Sequence, residues 1–483
     1  MRIRCVGHAC LEIETRGLRV VTNPWWEGPA YGRQWYPWPT PQPAGLATRP
    51  IDYVFLSHGR DDHFHSPTLR TLQRDATALV PELVAERLGR RLREQIGFCE
   101  VLELRHGRTA TLRRRLRATA YVNVTDSILV LEDGDRVLVD ANVALRGAPA
   151  AVVDHFVRLL RDRHPSIDTL FLGYTAGSWF PNCVRLPGKN DRAVARAHEE
   201  RFRDAFSRIV ADLRPRLACA SDGSYALVEP HLRWMNDVRL STEEPDARFA
   251  RRHPQNGTRV HLILPNDVIE GVDLVPGATA RADRDEMERA YGSVLRAACE
   301  SARALAPRLP DEVLALVERL DQRVRNNAGR LAGRPPFEID LRLRDNPGLA
   351  LRVRFDGRQA RAETGPARAP RARLEIKADL LDAAIREERG LESILVGSGA
   401  VASIESAEDM AHIRGLFSLL SPRPSGWQRL LAELRASPRR QAAALLSQRW
   451  PLALYLGSRL GLLPRVDELR GLASEPHLSR AAA

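Results

Sequence analysis

The stretch VFLSHGRDDHFH, Val54 to His65, ends an apolar run at Ser57 and then delivers His58, Asp61, Asp62, His63 and His65 within eight residues. Imidazole nitrogens and carboxylate oxygens are the donors that hold zinc, manganese or iron, and a strand-end loop is where a rigid scaffold presents them. A divalent ion held there would acidify a water for hydrolysis. The competing reading is a solvated polar loop. Arg60 decides between them, because a guanidinium has no lone pair for a metal and stays protonated. It can hold a substrate carboxylate or phosphate through two parallel hydrogen bonds. It can also pair with Asp61 or Asp62 and leave a loop without chemistry.

The elements that must position these groups follow from periodicity. Short apolar strands come early, in MRIRCV, ACLEIE, LRVVT and DYVFLS, with a Pro/Trp-rich loop before the last. Helical spacing follows in SPTLRTLQR, with Ser66 as N-cap and Pro67 at the first helical position, and in ELVAERLGRRLREQI. Strands return in CEVLEL, TATLRR, RLRATAYV, SILVLED and RVLVDA, the last two joined by the turn EDGDR. The helix PAAVVDHFVRLLRDRH then leads to the strand DTLFLGY, and the helix DRAVARAHEERFRDAFSRIVADLR leads to LACASDG, with RVHLILP as the last strand. This order predicts two packed sheets with helices outside, an α/β sandwich over residues 1–275. A helical connector is expected at 276–334. The linker GRPPFEID then opens a small α+β unit at 335–406, and a helical region covers 407–483. In that last region WPLALYLGSRLGLL reads as a packing stripe, with a membrane surface as the alternative.

The motif resembles H-x-H-x-D-H, the signature of the metallo-β-lactamase-fold hydrolases. The likeness extends to GHACLEIETRGLRVVTNPWWEGPA, with Asn23 in place of an Asp, and to DSILVLEDGDRVLVDAN, GYTAGSWFPNC and LRPRLACASDGSYALVEPHLRWMND. Together these are similar to the metallo-β-lactamase-like part of the CMP-sialic acid hydroxylase family, without that family's Rieske Cys and His pairs. The resemblance implies an αββα sandwich with a metal site. In the family one ion takes the first two histidines and a distant third, the other takes the Asp, the last His and a C-terminal His, and a carboxylate bridges them. Carried over, His58, Asp62 and His63 match, and Arg60 stands where the second His belongs. The distant third falls at Val122 or Asn123, the bridging acid is Asp140 or Asn142, and the C-terminal His falls on Glu229 with His231 close by.

The losses are uneven, so the resemblance implies a mononuclear site for Zn, Mn or Fe. Its ligands come from Asp62, His63, Asp140 and either Glu229 or His231, with His58 left over from the first site. Asp62, Arg60 and Asp140 are the candidate catalytic groups. Arg60, Trp25, Trp26, Tyr174, Ser178 and Trp179 are candidates for substrate contact, and Asp222 and Asp267 for orienting a ligand; His8, beside Gly7 at a strand turn, reads as a satisfied histidine within reach of the site. The function expected is hydrolysis of an anionic ester, lactone or phosphoester. Non-haem iron hydroxylation and a metal-free binding protein are the alternatives. The unit at 335–406 is weakly similar to a sterol-carrier-like fold through LEIKADLLDAAI and ESILVGSGAVASIE.

Composition bounds the rest. Hydrophobic residues make up 44% and charged residues 28%, ordinary for a globular chain. The formal charge is +12, carried almost wholly by arginine with only Lys189 and Lys377 as lysines. The arginines are scattered among acids along helical stretches, so no nucleic-acid partner is expected. Six cysteines without a C-x-x-C pair argue against a zinc knuckle or a disulfide framework. No window approaches the ~18 apolar residues of a membrane span, and a cytoplasmic protein is expected, with self-association compatible.

Overall fold

The structure is a computed structural model. It describes residues 1–420 apart from 47, 83–87, 124–125, 149, 176–182, 222–224, 241–243, 278–283, 304–308, 367–370, 387–393 and 398. Among the described residues no helix is long and apolar enough to cross a membrane.

Side chains alternate across a strand, so a strand with apolar residues on both faces must be covered twice. The opening strands Arg2–Gly7, Cys10–Thr15 and Leu18–Thr22 have that pattern. Their Ile3, Leu11, Ile13 and Val20 meet Leu129, Leu131, Phe171 and Leu217 in a core between two sheets. Val6, Cys10, Val21, Val54 and Leu56 face the other way, against Leu69, Leu72, Leu88 and Leu92 of the helical segments outside. The second sheet is covered likewise: Val130, Val139, Leu170 and Ala218 pack on Phe156, Leu160, Phe206 and Val210. Those four come from the helices Ala150–Arg163 and Asp191–Leu213. The expected sandwich is therefore present as helix, sheet, sheet, helix.

The first sheet runs Asp273–Val275, Val268–Glu270, Arg2–Gly7, Cys10–Thr15, Leu18–Thr22, Tyr53–Phe55, Thr77–Pro81, Glu100–Leu104. The second runs Arg259–Leu262, Leu217–Ser221, Thr169–Gly173, Arg136–Asn142, Asp126–Asp133, Arg117–Asn123, Thr109–Thr111. RVHLILP is thus not the end of the sandwich. After it the chain crosses back, and Val268–Glu270 pairs antiparallel with Arg2–Gly7. Of the helix expected over ELVAERLGRRLREQI, residues 83–87 lie outside the described residues; the rest is helical at Leu88–Arg91 and continues as a π turn at Leu92–Ile96. Gly97, at φ +94°, donates its N–H to Leu92 O at 2.8 Å and closes it.

A third sheet follows the helices Arg284–Arg303 and Pro310–Asn327. Its order is Val184–Arg185, Ala400–Ile404, Ala372–Ile376, Phe337–Leu343, Leu349–Phe355, Ala360–Pro366. One edge strand, Val184–Arg185, comes from within the first 275 residues and pairs parallel with Ala402 and Ser403. Leu316, Leu320 and Val324 of the preceding helix and Ile413 and Leu416 of the helix Met410–Leu420 cover this sheet. WPLALYLGSRLGLL lies outside the described residues.

Candidate metal centre

The motif begins where Tyr53–Phe55 ends, and its first residue is tied from two sides. Ser57 donates its N–H and hydroxyl to Asn23 Oδ1 at 2.9 and 3.0 Å, and Ser127 Oγ donates to Ser57 O at 2.9 Å. Asn23 sits at φ +38°, a conformation Asn tolerates better than most residues. Beyond it, the N–H of His63 reaches back to Arg60 O at 3.0 Å. Phe64 is buried beneath Arg91, whose guanidinium lies 4.0 Å above the ring. The next helix spans Ser66–Thr71 with Pro67 in its first turn, but its cap is His65 and not Ser66: His65 Nδ1 accepts from Thr68 N. His65 is thereby taken up by the fold, and burial pushes its imidazole down to about 4.

The turn so built places Asp62 and His63 inward, where they meet His8. His8 Nε2 and His63 Nε2 lie 3.3 and 3.4 Å from Asp62 Oδ2. All three side chains are buried, and among the described residues they form a group able to hold a metal ion. Two donors on one tetrahedral ion with bonds of ~2.1 Å stand about 3.4 Å apart, so these separations leave the group able to share an ion. Asp62 Oδ1 accepts the Tyr31 hydroxyl at 2.5 Å. Burial opposes the charge on Asp62, but the charge and hydrogen bonds of His63 and His8 prevail and hold its carboxyl well below the usual range. Trp25, with no exposed surface, backs His8 edge-on at 4.9 Å.

Asn142 supports the same reading. Its amide lies 3.2 Å from His63 Nδ1, and its Oδ1 is buried with no hydrogen-bond partner among the described residues. Half a turn of the amide presents Oδ1 to an Nδ1–H, the tautomer in which His63 Nε2 keeps a lone pair for a metal. Two imidazoles, one carboxylate and an amide to orient them fit a single divalent ion of the Zn, Mn or Fe kind.

Beside this cluster, Arg60 and His58 are engaged with each other and with Asp126. Arg60 Nε donates to His58 Nε2 at 2.6 Å and its Nη2 to Asp126 Oδ2 at 3.0 Å. His58 Nδ1 stands 3.1 Å from Asp126 Oδ1 and 2.8 Å from Ser57 Oγ. With Nε2 accepting from a guanidinium, His58 is not available as a ligand, and the expectation that it binds metal is corrected on that ground. Arg60 does not pair with Asp62. Its partner is Asp126, a residue the motif did not indicate, whose carboxyl burial pushes up to about 6 against the opposing charges of Arg60 and His63.

Other expected residues lie elsewhere. Glu229 Oε1 accepts from Lys377 Nζ at 2.9 Å, and His231 Nε2 faces Arg344 Nη2 at 3.0 Å. Both partners belong to the third sheet's region, so neither Glu229 nor His231 joins the cluster. Asp140 is buried two residues before Asn142 on the strand Arg136–Asn142 and is not part of the group either. Tyr174 packs edge-on against Phe206 at 5.2 Å in the helical layer, and Trp26 packs with the first sheet's outer core. Trp25 is fully buried. Asp267 accepts from the N–H groups of Leu264 and Gly277, a loop-closing role. Trp179, Ser178 and Asp222 lie outside the described residues. His8 is the member of this cluster that spacing undervalued. Its signal was Gly7–His8 at the turn between two buried strands.

Comparison with known proteins relates part of this chain to several of them. Residues 2–158 match the family model described as the beta-lactamase superfamily domain. A protein of Mycobacterium tuberculosis (strain ATCC 25618 / H37Rv) named as a Rieske 2Fe-2S iron-sulfur protein is 27% identical over 300 residues, 58% of this chain and 53% of that protein. The cytidine monophosphate-N-acetylneuraminic acid hydroxylase of Asterias rubens is 39% identical over 74 residues, 15% of this chain and 11% of the hydroxylase. The match to the mycobacterial relative thus spans about half of that relative's length. Among solved structures, the diiron beta-hydroxylase CmlA of Streptomyces venezuelae superposes with a TM-score of 0.39 at 17% identity, over 56% of this chain and 54% of that one. Residues 2–158 of this chain are thus similar to the beta-lactamase superfamily domain, and the N-terminal part has the mixed α/β sandwich described above.

Proposed function

We propose that the chain is a metal-dependent hydrolase with one divalent ion between His8, Asp62 and His63, acting on an anionic ester, lactone or phosphoester. The observation that carries this reading is the convergence of two imidazole nitrogens on Asp62 Oδ2, with the Arg60 guanidinium bound to the neighbouring His58. When bound, the ion would supply Lewis acidity and lower the pKa of a water. The remaining work falls to side chains. Arg60 is bound to His58 and Asp126, and with its side chain 43% accessible it would supply positive charge towards a substrate carboxylate or phosphate. Asp126, at about 6, is matched to accept a proton near neutral pH. Trp25 closes the cluster behind His8 and keeps bulk water from that side.

A second reading has its own support. Two histidines and a carboxylate are also the donor set of non-haem iron oxygenases. One curated relative is named as a hydroxylase and another as a Rieske protein. The two readings separate on one experiment: the protein is loaded in turn with Zn(II), Mn(II) and Fe(II), then assayed against ester, lactone and phosphodiester probes and, with a reductant, for dioxygen consumption. Hydrolysis by the zinc or manganese form, abolished in Asp62→Ala, is the expected result. Dioxygen uptake confined to the iron form would replace hydrolysis with hydroxylation. No turnover with any ion would leave a binding protein.

A further inference from the structure

The carboxylate at the centre of the cluster is held from outside by a residue the proposed chemistry leaves unused. Tyr31 is buried at 3% exposure and donates to Asp62 Oδ1 at 2.5 Å, the oxygen turned away from the two histidines. Its backbone is in the left-handed region, φ +54°, and so is that of Gly32 at +62°. An aromatic stack fixes its ring: Tyr31 meets Trp35 at 4.7 Å, Trp35 stacks on Tyr225 at 3.5 Å, and Arg239 lies 3.5 Å over Tyr225.

The C-terminal region closes on the other side of this tyrosine. A methyl group at Gly397 would meet Tyr31 Cβ at 2.5 Å and Tyr31 O at 3.1 Å, and one at Gly32 would meet Leu380 Cδ2 at 3.2 Å. Contacts this tight exist only because both positions lack a Cβ. The segment bearing Gly397 is anchored nearby, since Ala402 N donates to Cys183 O at 2.7 Å and Val184–Arg185 is a strand of the third sheet. A rigid chain of contacts therefore runs from the third sheet through Gly397 and Tyr31 to Asp62.

We infer that the third sheet positions the Asp62 carboxylate through Tyr31, so that the C-terminal region sets the geometry of a site built wholly from N-terminal residues. As a statement about metal affinity this rests on the reading proposed above. Tyr31 is a positioning residue: it touches the ligand and not the ion. Carboxylate ligands are oriented by such hydrogen bonds, and losing one costs about 10–100-fold in metal affinity.

The test uses the full chain with Tyr31→Phe, Gly397→Ala and the double variant, reading Zn(II) affinity by chelator competition and the ligand-field spectrum of the Co(II)-loaded protein. The expectation is a ~10–100-fold weaker Zn(II) complex and altered Co(II) bands for Tyr31→Phe. Gly397→Ala weakens Zn(II) in the wild-type background and adds nothing in the Tyr31→Phe background. An unchanged affinity in Tyr31→Phe, or a full Gly397→Ala effect in both backgrounds, overturns the inference. If the wild-type protein takes up no metal, the hydrolase reading falls, and the inference is decided on metal-free protein by a urea-unfolding cycle between Gly397→Ala and Asp62→Asn. These two residues act on each other only through Tyr31 in this account, so non-additivity supports it and additivity overturns it.

Discussion

At the scale of single residues, the site is governed by which nitrogen faces which oxygen. Asp62 and His63 were legible because adjacent metal-donor residue types after a buried strand leave a spacing signature. His8 and Asp126 were not, because each arrives from a different strand and only the sheet order brings it near. Asp126 is faced by His58, Arg60, His63 and Arg146, and Arg60 is the main charge opposing the upward push of burial on its carboxyl. Arg60→Ala therefore moves the Asp126 midpoint above about 6, read by carboxyl carbon NMR. Removing the partner of a buried carboxylate also costs roughly 1–3 kcal/mol in urea unfolding near neutral pH. The sign follows from linkage: a raised acid favours the protonated fold, so its contribution is present below the unfolded value of about 4 and is lost as pH rises through the folded one. In the variant that loss shifts to higher pH. An unmoved midpoint would mean that Arg60 does not govern Asp126.

At the scale of elements, strands were easier to read than the loops between them. Alternation in Arg2–Gly7 and Cys10–Thr15 announces strands, whereas the apolar spacing of ELVAERLGRRLREQI fits a helix that the chain interrupts with a π turn at Leu92–Ile96. Periodicity reports which face is buried and not where a backbone hydrogen bond lengthens by one residue. The short helix Ser66–Thr71 shows how such elements serve the site. Thr68 Oγ1 accepts from the N–H groups of Trp26 and Glu27 at 3.0 and 2.9 Å, tying the helix to the turn that carries Trp25 behind His8. Thr68→Val keeps the shape and deletes the acceptor. It is expected to cost about 1–3 kcal/mol in unfolding free energy by stranding two donors. It should also speed amide exchange at Trp26 and Glu27, and protection equal to wild type would show that the tie is dispensable.

At the scale of the whole molecule, the third sheet takes a strand from the sandwich and covers Glu229 and His231 with Lys377 and Arg344. The family pattern put these two residues at the metal, and nothing in local spacing reveals that a later unit claims them. The seam is sensitive to acid. Burial, with the charges of Arg344, Arg185 and Lys377 added, pushes the His231 imidazole down to about 3. The folded state then binds fewer protons than the unfolded one between about 3 and 6.5, so His231 contributes stability in full above that range and loses it as pH falls. His231→Gln keeps an acceptor for Arg344 and cannot be charged. Its unfolding midpoint in urea should fall less than that of wild type between pH 6.5 and 4, and an identical fall in both proteins would remove His231 from the seam's acid response.

The central claim is one ion held by His8, Asp62 and His63, with Arg60 bound to the neighbouring His58. Metal content by mass spectrometry, on protein purified without chelator and equilibrated with Zn(II), tests it most directly, beside His8→Ala, Asp62→Ala, His63→Ala and His58→Ala. The account predicts one equivalent in the wild type, its loss in the first three variants and its retention in His58→Ala. Two equivalents in the wild type, none at all, or loss in His58→Ala with retention in His8→Ala would contradict it.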